Sequence, residues 1–317
     1  MYRIILCFAV SFAFLPAVRA EFTITADPAS GVVITEDGKP VLQYNHKIVP
    51  LPEGYSEKIK GNAYLEKYAV PRSDYIHPFY DLDGEPITKD YSLDHAHHRG
   101  IYWAWPEVGY KGELGDLHAL QKVFARPKGN TGCTAEGGKA FFVAENVWMW
   151  NDKEPIADEK VTVTVFKKTA EGRKINLVVE ITPLVDGVTL ARRGMKGYGG
   201  LNLRFLNLPD WKAGAFVSPE KPETNPAWTW GSWKNPKSEG NTELTLFEKA
   251  SNPNYPGEFI EFKNLNWFQP AFPKSGTRYP LVKGEALTLR FQFWLHDASV
   301  SEDAKKAAWK EYQNEQL

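Results

Sequence analysis

Five of the seven histidines lie between positions 77 and 118, at His77, His95, His97, His98 and His118. The densest stretch reads Asp94-His95-Ala96-His97-His98-Arg99-Gly100. Burying so many ionisable groups together costs free energy unless each is paired or bound to a metal. Imidazole titrates near neutral pH, so it gives or takes a proton under ordinary conditions. It is also a common metal ligand. On an extended backbone, His95 and His97 point to one side, and Asp94 and His98 to the other. Such a His-x-His pair chelates a divalent metal with a third ligand from another segment: His77 first, or else His118 or Glu159. The metal-free alternative sets His95, His97 and His98 against a substrate as acid and base, with His77 and Glu159 as further catalytic candidates. Asp94 is expected to orient a histidine from behind. Arg99 is expected to grip a carboxylate or sulfate of the substrate by a bidentate contact. Gly100 allows a close backbone approach or an unusual dihedral. The strand after it, Ile101-Tyr102-Trp103-Ala104-Trp105, offers Trp103 and Trp105 as ring platforms for a substrate. A purely structural polar network and a solvated loop are the competing readings of the same residues.

These side chains need a frame, and the surrounding pattern is that of strands. Val161, Val163 and Val165 alternate with Thr162, Thr164 and Phe166. After a turn at Ala170-Glu171-Gly172, Ile175, Leu177, Val179 and Ile181 keep the period of two, which predicts a long antiparallel hairpin. Leu287, Leu289, Phe291, Phe293 and Leu295 predict a last strand. Shorter strands are expected at 22–26, 31–35, 40–45, 99–105, 201–206, 243–248 and 258–263. Segments 105–118 and 207–240 are aromatic and rich in Pro and Gly, and read as loops laid over a sheet. Within them, Trp228-Thr229-Trp230-Gly231-Ser232-Trp233 is a sugar platform or a packed rim. Gly197-Tyr198-Gly199-Gly200 lacks the strand–loop–helix setting of a phosphate loop. It reads as a turn into the strand carrying Arg204, a candidate substrate-binding residue. Ser299 and Glu302 suggest a capping box for one helix over Ala304 to Tyr312. The expected fold is all-β: one large antiparallel β-sandwich over residues 21–317 with a short C-terminal helix.

Residues 1–20 read as a cleavable signal peptide: Arg3, an apolar run from Ile4 to Leu15, Pro16, then Val18-Arg19-Ala20. The expected location is periplasmic or secreted. Cleavage removes Cys7 and leaves Cys133 alone, so no intramolecular disulfide is expected and the core must hold the fold. It also takes Arg3 and Arg19, so the 38 Lys and Arg fall to 36 against 39 Asp and Glu, a net charge of −3. Without a basic stripe, nucleic acid is not an expected partner. No second apolar run reaches spanning length, so stable membrane insertion is not expected. Aromatic residues make up 14% of the chain, including 11 Trp, enough to pack a sandwich and to leave rings for a sugar.

The stretches Tyr75-Ile76-His77-Pro78, Gly84-Glu85-Pro86-Ile87-Thr88-Lys89-Asp90 and Asp94 to Trp105 resemble the signature of the PmoA-like family of exported bacterial proteins. Asn146-Val147-Trp148, Glu159, Gly199 to Arg204, Asn252-Pro253-Asn254-Tyr255-Pro256 and Leu295-His296-Asp297 agree with it, while Ala96 stands where Pro is common. The family's label points to methane oxidation, which a chain without membrane spans does not support. The resemblance implies a supersandwich similar to the galactose-mutarotase fold, and a context of polysaccharide breakdown. The expected function is an exported carbohydrate-active enzyme, a hydrolase, lyase or epimerase, acting on an oligosaccharide or small sugar. A non-catalytic glycan-binding protein and an exported metal-binding or redox protein are the alternatives.

Overall fold

A computed structural model of the chain describes residues 21–27, 31–219, 225–237 and 240–316. The expected leader lies outside them. Among the described residues, two eight-stranded antiparallel sheets and one four-stranded sheet form the frame. The first sheet has the order β1 (Phe22–Asp27), β2 (Gly31–Glu36), β3 (Lys39–Tyr44), β4 (Ile76–Phe79), β5 (Ile101–Ala104), β13 (Gly200–Arg204), β18 (Trp267–Ala271), β17 (Glu258–Phe262). The second has the order β14 (Lys212–Val217), β15 (Ala227–Lys234), β16 (Asn241–Glu248), β20 (Leu287–Asp297), β11 (Arg173–Pro183), β10 (Glu154–Phe166), β9 (Lys139–Trp150), β8 (Val123–Glu136). The third joins β19 (Tyr279–Pro280), β12 (Thr189–Ala191), β6 (Glu107–Tyr110) and β7 (Glu113–Gly115). The helices are α1 (Tyr55–Ile59), α2 (Ala63–Tyr68) and α3 (Glu302–Asn314).

Period-two patterning explains the sandwich. Val161, Val163 and Val165 of β10 lie opposite Val179, Leu177 and Ile175 of β11. On the far side of β11, Leu177 and Val179 face Phe291 and Leu289 of β20. All of these are buried, while the intervening Thr162 and Thr164 are not. The inner row meets the first sheet through ring contacts: Tyr44 lies 5.2 Å from Phe142, and Phe79 lies 5.9 Å from Phe293. One apolar cluster therefore runs through both sheets. Each large apolar side chain so buried contributes roughly 1.5–3 kcal/mol. Cys133 is a free cysteine, so burial carries the stability of the described residues. No helix among them is long and apolar enough to cross a membrane.

Several local expectations need correction. Segment 105–118 contains β6 and β7, and segment 207–240 contains β14 and β15, so neither is only loop. Trp228 and Trp233 are buried within β15, which makes that tryptophan run packing and no exposed platform. The cap of α3 is Ser301, whose hydroxyl accepts from Ala304 N at 3.2 Å; Ser299 N instead donates to the Asp297 carboxylate. The short pair α1 and α2 was not expected. It forms because Asn62 caps α2, accepting from Leu65 N at 3.1 Å, and because Tyr55, Ile59 and Leu65 bury against Tyr91 and Ala96. This small satellite core supports the histidine-rich loop from one side.

Candidate functional site

Alternation along the middle strands of the first sheet divides their side chains. Trp103 stacks on Tyr44 inside the sandwich, with ring centres 6.5 Å apart. Tyr102 pairs across the ladder with Asn202, and Arg204 with Trp267, so these four share the opposite, outer face. Loops cover that face and bring the histidines onto it.

The loop before β5 is a turn, not an extended strand. Asp94 accepts a hydrogen bond from His95 N at 2.7 Å, the Ser92 hydroxyl accepts one from the same amide at 3.3 Å, and His98 N donates to His95 O at 3.1 Å. The three-residue step therefore places His95 over His98, with ring centres 4.7 Å apart and planes 21° from parallel. The expected split of His95 and His97 from His98 is overturned. His97 lies edge-on to His98 at 4.6 Å. His118 comes from the loop after β7, which is pinched by reciprocal backbone bonds between Asp116 and Gln121 at 2.7 Å. Its ring lies 5.3 Å from both His97 and His98. Arg72 secures the loop by donating to His118 O at 3.0 Å.

One nitrogen from each of His97, His98 and His118 lies within 4.8 Å of the others, and all three residues are buried. An ion bound at the usual zinc–nitrogen distance needs its ligand atoms about 3.3 Å apart, a closure of about 1.5 Å at most. His118 Nε2 is engaged with the Tyr102 hydroxyl at 2.8 Å, while its Nδ1 has no hydrogen-bond partner. In the tautomer whose Nε2 donates to Tyr102, Nδ1 keeps its lone pair; in the other, Nδ1 carries the proton, and the Asn202 side chain is a hydrogen-bond acceptor for the ring. An outer partner of this kind fixes the orientation of a ligating imidazole. Nδ1 of His95, His97 and His98 is likewise buried without a partner. A buried nitrogen without a protein partner is open to water or an ion. The three rings border a cavity of about 120 Å³, completed by His95, Tyr64, Tyr198, Phe262, Leu265 and Trp267.

Burial keeps these imidazoles neutral. It pushes His97 down to about 3, with His95 and the nearby arginines adding to the effect. His98 and His118 are driven well below the ordinary value by burial first and by neighbouring histidines next. His95, half-buried at the mouth, is lowered less steeply, again through burial. Neutral rings carry the lone pairs that a metal or a proton requires. The same shifts bear on stability. A histidine whose folded value is depressed resists protonation, so the unfolded chain takes up more protons below about pH 6.5. Metal-free protein is therefore expected to lose stability as pH falls from about 6.5 towards 3, by up to about 1.4 kcal/mol per pH unit for each buried ring. Thermal unfolding of chelator-treated protein between pH 7 and 5 measures this, and an unchanged Tm across that window would refute it.

The other expected site residues are placed differently. His77 Nδ1 pairs with the Thr88 hydroxyl at 3.0 Å, and His77 does not line the cavity; His118 and His98 take the places expected of His77 and His95 in a metal set. Arg99 is fully buried, bonded to Asp90 at 3.0 Å and to Val70 O at 2.8 Å, with its guanidinium 3.1 Å from the Tyr91 ring centre. It braces the loop and has no route to a substrate. Arg204 is also fully buried and binds the Asp94 carboxylate at 2.7 Å. Although partial burial opposes it, the Ser92 hydroxyl and Arg204 hold Asp94 well below the usual carboxylate range. Asp94 approaches His95 Nδ1 only to 3.8 Å, so it fixes the turn and not a ring. Trp103 and Trp105 face the core, and neither can act as a platform. Glu159 is buried beside Asn146 and Trp148, whose amide and indole donate to it at 3.1 Å and 2.8 Å, with no histidine in contact. Burial pushes its carboxyl up. Tyr64, Tyr198, Phe262 and Trp267 were not anticipated. Tyr198 lay inside the glycine-rich run read only as a turn.

A family model described as "Family of unknown function (DUF6807)" matches residues 31–310. No curated protein sequence matches the chain. Among solved structures, that of a GalM/aldose epimerase homologue from C. elegans is similar at 10% identity with a TM-score of 0.33, covering 88% of this chain and 99% of that one.

Proposed function

The chain belongs to the family of unknown function DUF6807, and we propose that it is an exported carbohydrate-active metalloenzyme in which His97, His98 and His118 hold a divalent transition-metal ion. One observation carries this reading: one nitrogen from each of three buried, neutral imidazoles lies within 4.8 Å of the others, beside a shared cavity. Three histidines are a common ligand set for catalytic zinc, leaving a coordination position open, and such an ion polarises a substrate oxygen or activates water. His95 lies over His98 at the mouth, is neutral at pH 7, and is free to accept a proton from a bound substrate. This assigns metal binding to the inner three rings and proton transfer to the outer one. The reaction classes that fit are hydrolysis, elimination and epimerisation. Residues 1–20 support export by their charged, apolar and small-residue order.

The test is elemental analysis of the mature protein, purified without a metal-affinity tag, alongside turnover of plant and algal oligosaccharides. The expected result is about one transition-metal ion per chain, with turnover lost on chelation and restored by the ion. Full turnover by metal-free protein would overturn the assignment. Bound metal without turnover of any glycan would leave a metal-binding protein and remove the enzyme.

A further inference from the structure

Among the described residues, the exposed large hydrophobic side chains are Ile48, Tyr64, Leu93, Leu114, Leu184, Val217, Phe262 and Val282. Only two of these are aromatic, and both line the histidine cavity. Tyr64 is 45% exposed and Phe262 is 43% exposed. They come from separate parts of the fold, α2 and the end of β17. Tyr64 stands edge-on to His95 at 6.0 Å and to His97 at 6.2 Å. Phe262 packs on Trp267 at 4.9 Å, and Trp267 in turn stacks on His98 at 6.1 Å with planes 21° apart. Two exposed rings thus line the one histidine-bearing cavity. Exposed aromatic surface is costly, and when it gathers at a concave site it marks a binding surface.

The shape of the site restricts the ligand. At about 120 Å³ the cavity falls well short of the roughly 300–1,000 Å³ of a pocket that encloses a whole small-molecule ligand. The body of any larger ligand must remain between the rings at the mouth. A suitable ligand has oxygens on one edge, to reach the histidines, and an apolar face to lie against an aromatic ring. A pyranose has both features, with hydroxyls around its rim and axial C–H bonds on its faces.

We infer that Tyr64 and Phe262 form a two-sided clamp that holds one pyranose ring with a hydroxyl-bearing edge directed at the three histidines. The inference deepens the metalloenzyme reading and rests on it for the direction of that edge. The two rings act as substrate-binding residues, and neither is a ligand of the ion.

Metal-loaded mature protein is to be titrated with methyl β-D-glucopyranoside, methyl β-D-galactopyranoside and cellotetraose, with binding followed by ligand-observed NMR and metal content measured on the same samples. At least one of these is expected to bind. Y64A and F262A are each expected to weaken binding by about 10-fold or more, the equivalent of one aromatic contact. Metal content should be unchanged in both. Y64F keeps the ring and is expected to bind as the wild type does. Wild-type affinity in both alanine variants would overturn the clamp, and so would failure of the metal-loaded wild type to bind any of the three. Binding of catechol, with no binding of the pyranosides, would replace the sugar with a planar aromatic diol and also overturn it. A protein found metal-free that still binds a pyranoside through both rings would refute the metal centre and uphold the clamp.

Discussion

Replacing His118 with alanine is expected to reduce metal affinity by more than the 10–100-fold that loss of an outer-shell partner costs, and to abolish turnover with it. The reason is geometric. His97 and His98 are adjacent in sequence and come from one turn, whereas His118 is the ligand candidate delivered by a separate, independently pinched loop. Without it, two imidazoles remain on one side of the cavity, and a bound ion would lack the ligand from the second loop. The variant also leaves the buried Tyr102 hydroxyl without its 2.8 Å partner. That loss and the small void together cost about 1–3 kcal/mol, which a domain with a core of this extent survives. The decisive comparison is with H77A. His77 bonds to Thr88 outside the cavity and is expected to keep full metal occupancy when removed. Isothermal titration with zinc and cobalt on both variants separates the two sets. Wild-type affinity in H118A, or loss of the ion in H77A, would return the site to the sequence-based expectation that pairs His95, His97 and His77.

That contrast marks where the sequence stops being informative. The density of histidines between positions 94 and 98 is visible in one dimension, because so many titratable groups are rarely placed together without purpose. The period-two rows of β10, β11 and β20 are equally visible, and the structure aligns them in register. The conformation of a five-residue loop is another matter. Ser92 and Asp94 are turn formers that bond to nearby amides, and they bend the chain so that His95 meets His98. An extended strand there would have turned His98 away from His95 and His97, whereas the turn brings all three together. The burial of Trp103 and Trp105 was legible by parity, since Ile101, Trp103 and Trp105 form an odd-numbered apolar row while Tyr102 is the ring with a polar tip. Arg99 and Arg204 misled for a different reason. A buried guanidinium bracing a loop and an exposed one gripping a substrate have the same letter in the sequence. The rim rings were illegible because their proximity depends on contacts across long stretches of chain, such as Tyr64 with His97 and Tyr198 with Trp267.

G100A is expected to be the most damaging single-methyl change near the site. Gly100 has φ of +58°, a conformation that costs a residue with a side chain about 1–2 kcal/mol. A Cβ there would lie 2.3 Å from Ile76 O and 3.0 Å from the His77 Cβ. Neither neighbour can easily move. Ile76 is paired opposite Ile101, Gly100 N donates to Lys89 O at 2.8 Å, and Gly100 O accepts from Arg204 N at 2.8 Å. The added methyl must therefore force β4 away from β5 or displace the turn that carries His97 and His98. Overpacking of this kind adds about 1–3 kcal/mol, for an expected total of about 2–5 kcal/mol. G112A isolates the two contributions. Gly112 has φ of +76°, but a methyl added there would meet nothing within 4 Å, so only the backbone cost of about 1–2 kcal/mol should remain. Urea unfolding of the two variants measures the difference, and zinc titration shows whether G100A also weakens the centre while G112A does not. Equal destabilisation by the two substitutions would mean that the contact with Ile76 does not govern the position of the turn. The three histidines would then need some other anchor than the glycine that leads their loop into the sheet.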